Sequence, residues 1–388
     1  MKYFHANVSA LAALACLLTF WLAPLRADAT GHVSSLRKIE NKECPNALIN
    51  RLHMDADGFL WVGSNTGLMR YDGANARTFR HNENDTTSLS TNNVLIVFSD
   101  REKRKWVGTA DGLHLYDPLT GSFKRIHLPG TALDGYVTCI DQLPDGRIVF
   151  LAVGIGLFVV DPSTPANLVT RFSILPEMNT QDQMTALNDG SVIAIDTKGK
   201  AIRIQPDGSI VRGTFGHHYP QRFFHSYDGQ TYLRTGANLL RLKGKGFDGD
   251  AVNISEALGY DPNRGFVNIC PTTSGRMFVA YYDGDMWEVD PDGRNPRQVQ
   301  GLYHPAMDIR NAGIRSIYGD PMGNIWIVTN FNGIYMVSGS PSPFNYHHLR
   351  TILPGFAGGG HGLLPLGRQR MDSSAAGRYS ENRPQRRP

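Results

Sequence analysis

Apolar residues in this chain come in short unbroken runs, not at helical spacing, and the runs recur in a fixed order. Leu60-Trp-Val62 follows Asp57-Gly58, and a Gly-Leu-x-x-Tyr-Asp stretch, Gly67 to Asp72, comes next. Lys105 to Asp117 is a near-copy, and Gly323 to Tyr335 is a third. Weaker copies in the same frame begin at Asp145, Asp189, Asp228 and Ser274. Aligning Trp61, Trp106, Val149, Ile193, Tyr232, Phe278 and Trp326 as markers gives seven units of roughly 44 residues, the length of one four-stranded propeller blade.

Each unit predicts the same four strands. Nine and twelve residues before the marker the chain is mostly apolar (Leu52 and Ile49, Val97 and Val94, Ile140 and Val137, Ile317 and Ile314), which predicts a first strand, A. An Asp-Gly or Asp-x-x-Gly step makes the first hairpin, because Asp bonds its own backbone and Gly accepts positive φ. The marker strand, B, is short and wholly apolar, as a strand covered on both faces should be. Gly67, Gly112, Gly156, Gly199, Gly284 or Gly333 then turns the chain into strand C. A weakly patterned strand D, such as Arg77 to Arg80 or Ser122 to Ile126, completes the unit.

A sheet with two apolar faces needs neighbours on both sides, and radial stacking into a closed ring supplies them. The expected fold is therefore all-β: a seven-bladed β-propeller of four-stranded antiparallel blades near 46–82, 91–127, 136–172, 181–214, 220–247, 265–300 and 311–349. Two segments compete to close the ring as the last outer strand: Val33 to Glu40 and Pro343 to Leu349. The N-terminal one is favoured, since it would tie the two ends of the domain together. Large apolar residues fill the marker position in all seven units, so Trp61, Trp106 and Trp326 read as packing between blades, not as sugar-stacking platforms. Asp57, Asp145, Asp189 and Asp228 recur once per unit at a turn, which makes them structural residues rather than paired acid–base carboxylates.

The ends differ from the body. Lys2, an apolar run from Val8 to Leu22 and an Ala27-Asp-Ala29 site read as a secretory signal peptide over 1–29, cleaved after about Ala29. A membrane anchor is the alternative, but Leu11 to Leu25 is short for a bilayer span and Pro24 and Arg26 close it. No later stretch approaches spanning length, so the mature chain should be periplasmic or secreted. Residues 351–388 are rich in Arg, Gly and Pro and are expected to be disordered, with a composition foreign enough to suggest a shifted reading frame.

The net charge is +4, but Arg350 onward holds seven arginines against two acids, so the body is near neutral and offers no nucleic-acid surface. Cys44, Cys139 and Cys270 remain after maturation, without zinc or disulfide spacing; whether any two pair is open. Cys139 and Cys270 fall in strand patterns and read as small buried residues. No metal or cofactor is expected.

The unit Gly-x-x-Trp-Val-Gly-Ser/Thr-x-x-Gly-Leu-x-x-Tyr-Asp resembles the two-component regulator propeller repeat, most clearly at Gly58 to Asp72, Trp106 to Asp117 and Gly323 to Tyr335. The resemblance covers roughly residues 33 to 349 and is weakest in units four and five. It implies a periplasmic sensor region of a hybrid two-component histidine kinase, a family in which many members bind oligosaccharides. Such parents often carry two propellers, an immunoglobulin-like module, a membrane helix and a kinase. Here no nucleotide box or phospho-acceptor His pattern is found, so the chain is expected to supply sensing alone, with a second propeller or a dimer partner implied by the family.

In a propeller the B–C turns and D–A links share one face, and sugar recognition needs aromatic planes and planar hydrogen-bonding groups there. The candidates are His217, His218, Tyr219 and Arg222 from one D–A link, Tyr282 and Asp283 from a B–C turn, Arg310 and Asn311 from another link, and Asn330 and Phe331 from the last B–C turn. Only one ring of Tyr281-Tyr282 should reach solvent, since neighbours on a strand face opposite ways. A propeller hydrolase or lyase and a protein-interaction scaffold are the alternative functions. The 13 histidines are scattered, however, and no carboxylate pair stands out beyond the turns.

Overall fold

The structure, a computed structural model, describes residues 36–39, 48–129, 134–164, 168–173, 183–216, 220–244, 246–247, 249–262, 267–299, 313–330, 333–339, 344–348 and 361–365. Among them are seven four-stranded sheets, each antiparallel throughout. In blades one to six the strands follow chain order: Ile49–Met54, Leu60–Ser64, Gly67–Tyr71 and Ala76–Phe79 form the first. Blade seven takes its A, B and C strands from Ile314–Gly319, Ile325–Thr329 and Ile334–Val337, and its outer strand from Leu36–Lys38. The chain thus closes the ring with its N-terminal segment, as the pattern favoured. The competing segment, Phe344–His348, pairs instead with His361–Pro365 in a two-stranded ribbon belonging to a second compact unit, 341–388. That ribbon corrects two expectations: the last blade does not run on to 349, and structure occurs within the tail read as disordered. Blade five also extends past the boundary at 247, since its outer strand is Gly249–Asn253, followed by a short helix, Ile254–Ala257, capped by Asn253. The signal-peptide segment and Cys44 lie outside the described residues.

The markers are core residues. Trp61, Trp106 and Trp326 are 1%, 0% and 6% exposed, which settles packing against sugar stacking, and Val149, Ile193, Tyr232 and Phe278 are equally buried. Apolar clusters join each blade to the next: Phe278 and Ala280 of blade six pack with Ile317, Ile325 and Ile327 of blade seven. Cys139 and Cys270 are buried free thiols within such clusters. Burial pushes the Cys270 thiol up to about 12 and the Cys139 thiol upward as well.

All seven A–B hairpins carry the same pair of backbone bonds, for example Gly58 N–H to the Asp55 carbonyl and Asp55 N–H to the Phe59 carbonyl. Gly ends this turn in six blades; in blade two Lys103 takes its place at φ +64°. The residue that opens the turn, six before the marker, is Asp55, Asp100 and Asp320 where the marker is Trp, but Leu143, Leu187, Ser226 and Thr272 where it is not. The reason is chemical: a buried indole N–H needs an acceptor. Trp61, Trp106 and Trp326 each donate Nε1–H to the Oδ2 of that aspartate, at 2.7, 2.9 and 2.8 Å. The other carboxylate oxygen accepts turn amides, those of Asp57 and Phe59 in blade one and of Met322 and Asn324 in blade seven. Asp145, Asp189 and Asp228 are different residues of the turn, each accepting the N–H two positions on.

The three-residue spacing of apolar positions in strand A has a local cause. In blades one, two, three, five and seven the A–B register shifts at the residue eleven before the marker, between Ile49 and Arg51 in blade one. This β-bulge puts positions twelve and nine before the marker on one face. Blades approach closely at their inner ends. A Cβ at Gly108 would lie 2.6 Å from Ile96 Cγ2 and from the Val137 carbonyl oxygen of blade three, so only Gly fits there.

Trp61→Ala should cost about 3–5 kcal/mol in denaturant unfolding, as a core truncation. Asp55→Ala should cost about 1–3 kcal/mol more in the wild-type background than in a Trp61→Phe background, where no indole N–H is left stranded. Equal costs in the two backgrounds would remove the indole bond from the account.

Candidate functional site

Strand A is the innermost strand of every blade, so the seven A strands line the central channel, which holds a cavity of about 340 Å³. The ladder register sorts its wall into rungs. Opposite the markers stand His53, Phe98, Asp141 and Thr185, then Phe224, Cys270 and Tyr318. Two residues earlier, about 7 Å nearer the D–A face, stand Arg51, Ile96, Cys139 and Gln183, then Arg222, Asn268 and Ser316.

The lower rung is hydrogen-bonded to completion around one acid. Asp141 Oδ2 accepts from Thr185 Oγ1 (2.8 Å) and from the Ala186 N–H (2.9 Å), and lies 3.3 Å from His225 Nε2. Its Oδ1 takes the Gln142 N–H at 2.8 Å. His225 Nε2 also meets Thr185 Oγ1 at 2.9 Å, while Nδ1 meets Thr231 Oγ1 at 3.0 Å. A nucleophile relay needs the histidine to face the hydroxyl with one nitrogen and the acid with the other. Here one nitrogen faces both, and the acid binds the hydroxyl directly. Tyr227, from the A–B turn of blade five, reaches over this end and donates its hydroxyl to the Gly319 carbonyl of blade seven at 3.2 Å. His53 Nε2 meets Ser99 Oγ at 2.8 Å, and burial pulls the ring down to about 4, so it is neutral at physiological pH.

The upper rung carries two guanidinium groups. Burial lowers Arg51, and lowers Arg222 to about 9, a shift to which the neighbouring Arg51 and Arg234 add by repulsion. Arg234 stands directly opposite Arg222 on strand B and is itself drawn down to about 10 by burial. A guanidinium keeps its proton even where burial lowers its affinity, so all three are cations at neutral pH.

Of the residues expected to form a site, Arg222 lines the channel. Tyr282 and Asn330 meet between the B–C turns of blades six and seven: Asn330 Nδ2 donates to the Tyr282 hydroxyl at 3.0 Å. The backbone joins the same three segments, with Ile314 N–H on the Tyr282 carbonyl and Asn330 N–H on the Gly313 carbonyl. Blades six and seven therefore adjoin through these turns. Tyr281 is buried with its hydroxyl 2.8 Å from Ser255 Oγ, while Tyr282 is exposed, as the strand parity required. Asp283 is an exposed turn residue whose Oδ1 takes the Asp285 N–H at 3.4 Å. His217, His218, Tyr219, Arg310, Asn311 and Phe331 lie outside the described residues.

Sequence reasoning missed Arg51, Asp141, Thr185, His225 and Tyr318. The available signal was positional: these residues, or their neighbours, sit eight or ten places before a marker, interleaved with the apolar positions used to find strand A. A second cavity, about 210 Å³ between the A–B turns of blades three and four, is lined by Asp145, Arg147 and Asp189. Its charges are already paired, Asp145 with Arg147 at 2.7 Å and Asp189 with Arg203 at 2.6 Å. Among the described residues no group of three or more His, Cys, Asp or Glu is placed to hold a metal ion, and no helix is long and apolar enough to cross a membrane.

No family model matches the chain, and no curated protein matches it. Solved structures do. The extracellular domain assigned to the hybrid two-component system BT3049 of B. thetaiotaomicron is 18% identical, with a TM-score of 0.63 over 80% of this chain and 43% of that one. The extracellular domain assigned to the one-component system BT4673 of the same organism is 19% identical, with a TM-score of 0.59 over 77% and 42%. Virginiamycin B lyase from Staphylococcus aureus is 12% identical, with a TM-score of 0.59 over 78% and 98%. The likeness is one of fold. The chain spans less than half the length of the two extracellular domains it matches.

His53 and His114 yield a pH dependence. Burial holds both near 4 in the folded state, against 6.5 in the unfolded chain. The unfolded chain therefore binds their protons first, and stability should fall as pH drops from 6.5 towards 4, by roughly 1.4 kcal/mol per pH unit for each ring. His53→Gln should flatten that slope in urea melts taken between these limits; an unchanged slope would put His53 in contact with water.

Proposed function

We propose that this propeller is the extracytoplasmic ligand-sensing module of a two-component regulatory system, and that it binds a small polar ligand, an oligosaccharide or similar, at the channel mouth on the D–A and B–C face. The observation that carries the reading is the polar upper channel with Arg222 on its wall, and the Tyr282–Asn330 pair in the B–C turns supports it. Aromatic planes together with amide and guanidinium donors on one face suit a sugar, which offers C–H patches and hydroxyls together. The repeat pattern and the likeness to extracellular domains of two-component systems support the same assignment, as does the signal-peptide pattern for export.

A lyase is the second reading, favoured by the likeness to virginiamycin B lyase and by a histidine on the channel wall. The His225–Asp141–Thr185 arrangement counts against it, since the hydroxyl is already bound by the acid. Calorimetric titration with an oligosaccharide panel, with product analysis of the same mixtures, separates the two: binding without turnover supports sensing, and turnover supports a lyase.

Tyr282→Ala should weaken binding by about 1–3 kcal/mol with little change in melting temperature. Asp145→Ala, on the A–B face, should leave binding as it was. The opposite pattern would place the ligand on the A–B face.

A further inference from the structure

The upper rung of the channel gathers positive charge, and among the described residues no acid stands at that level of the wall to oppose it. Arg51 and Arg222 come from blades one and five, both line the cavity, and both keep part of their surface open to it. They lie close enough for Arg51 to act on Arg222 by repulsion, and both sense the Tyr318 hydroxyl. Apart from Arg51 and Arg234, the groups acting on the two guanidiniums are the Cys139 and Cys270 thiols and that phenol, none of which carries charge at neutral pH. Asp141, the single acid among the described residues of the wall, is one rung lower with both its oxygens engaged.

Unused donors sit at the same level. The Nε of Arg222 is buried and has no hydrogen-bond partner among the described residues. Asn268, the equivalent residue of the next blade, is 7% exposed and buries an Nδ2 donor that is likewise unpartnered. Native interiors rarely leave such groups unmet, and a cluster of donors without an acceptor marks a place where an acceptor binds.

We propose that the upper channel binds an anion: the carboxylate, sulfate or phosphate of a small ligand, held between Arg51 and Arg222. The inference rests on the channel being a ligand site and names the chemistry it selects. Planar guanidinium forks match such oxyanions, and the low-dielectric wall strengthens the pairing. The ligand is acidic, so a neutral sugar of the same shape is rejected because it leaves both cations unmet.

The test uses the full chain at low ionic strength, where competition from salt is least. Galacturonate, galactose, inorganic sulfate and chloride are compared by calorimetry and by thermal melting. Galacturonate should bind and raise the melting temperature, and galactose and chloride should do neither. Arg222→Gln and Arg51→Gln should each weaken binding by roughly ten- to a hundredfold, the value of a charge-assisted contact. Sulfate acting like galacturonate, with the same dependence on both arginines, would also support the site and identify the oxyanion alone as sufficient. Far-ultraviolet circular dichroism checks that each variant is folded, and either variant alone suffices if the other is not. If neither anion binds, or if binding persists undiminished in a folded arginine variant, the inference is overturned. Galactose binding that ignores both arginines would overturn it too, while leaving the sensor reading intact.

Discussion

Three blades of this protein are organised by the need to place an indole N–H where water cannot reach it. Three of the seven marker strands carry Trp, and each finds its acceptor on the aspartate that opens the hairpin behind it. The same carboxylates hold the turn amides, so one buried side chain fixes both the corner of the sheet and the ring that seals it against the next blade. Where the marker is Val, Ile, Tyr or Phe the aspartate is replaced, yet the two backbone bonds of the turn persist. The hairpin is thus the invariant element, and the Asp–Trp bond is the means by which a large polar-edged aromatic is admitted to the core.

The fold was legible because it repeats: one strand–turn–strand pattern at roughly 44-residue spacing implies stacking whatever the details. Parity resolved Tyr281 from Tyr282, and the alternation of Val33 to Glu40 was enough to favour it for ring closure. The bulges were hidden, because an apolar spacing of three in a strand looks like noise until the extra residue is seen. The indole bonds of Asp55, Asp100 and Asp320 were hidden too, and in blade one the more conspicuous Asp57 stands two residues beyond Asp55.

The channel was least legible of all. Arg51 and Arg222 lie far apart along the chain and in sequence are isolated cations within two apolar strands. Only closure of the ring brings strand A of blade one to face strand A of blade five, and residues that lack partners locally acquire a common environment. Arg222 was reached by the site reading for its place after a D–A link; Arg51 had no such marker. Two cations made neighbours by topology alone are a property of the closed ring, not of any blade.

Closure itself rests on three residue pairs, Leu36 to Lys38 against Val337 to Tyr335. These partners are separated by almost the whole propeller, so the pairing with the greatest sequence separation is also the one that removes the last open edge. The loop entropy of bringing them together must be met before blade seven has a fourth strand. On a ribosome the first strand therefore waits, unpaired, until blade seven has emerged, and six blades can exist only as an open arc exposing an apolar flank. Such an arc invites a foreign strand, which makes the interval between synthesis and closure the vulnerable part of this protein's life.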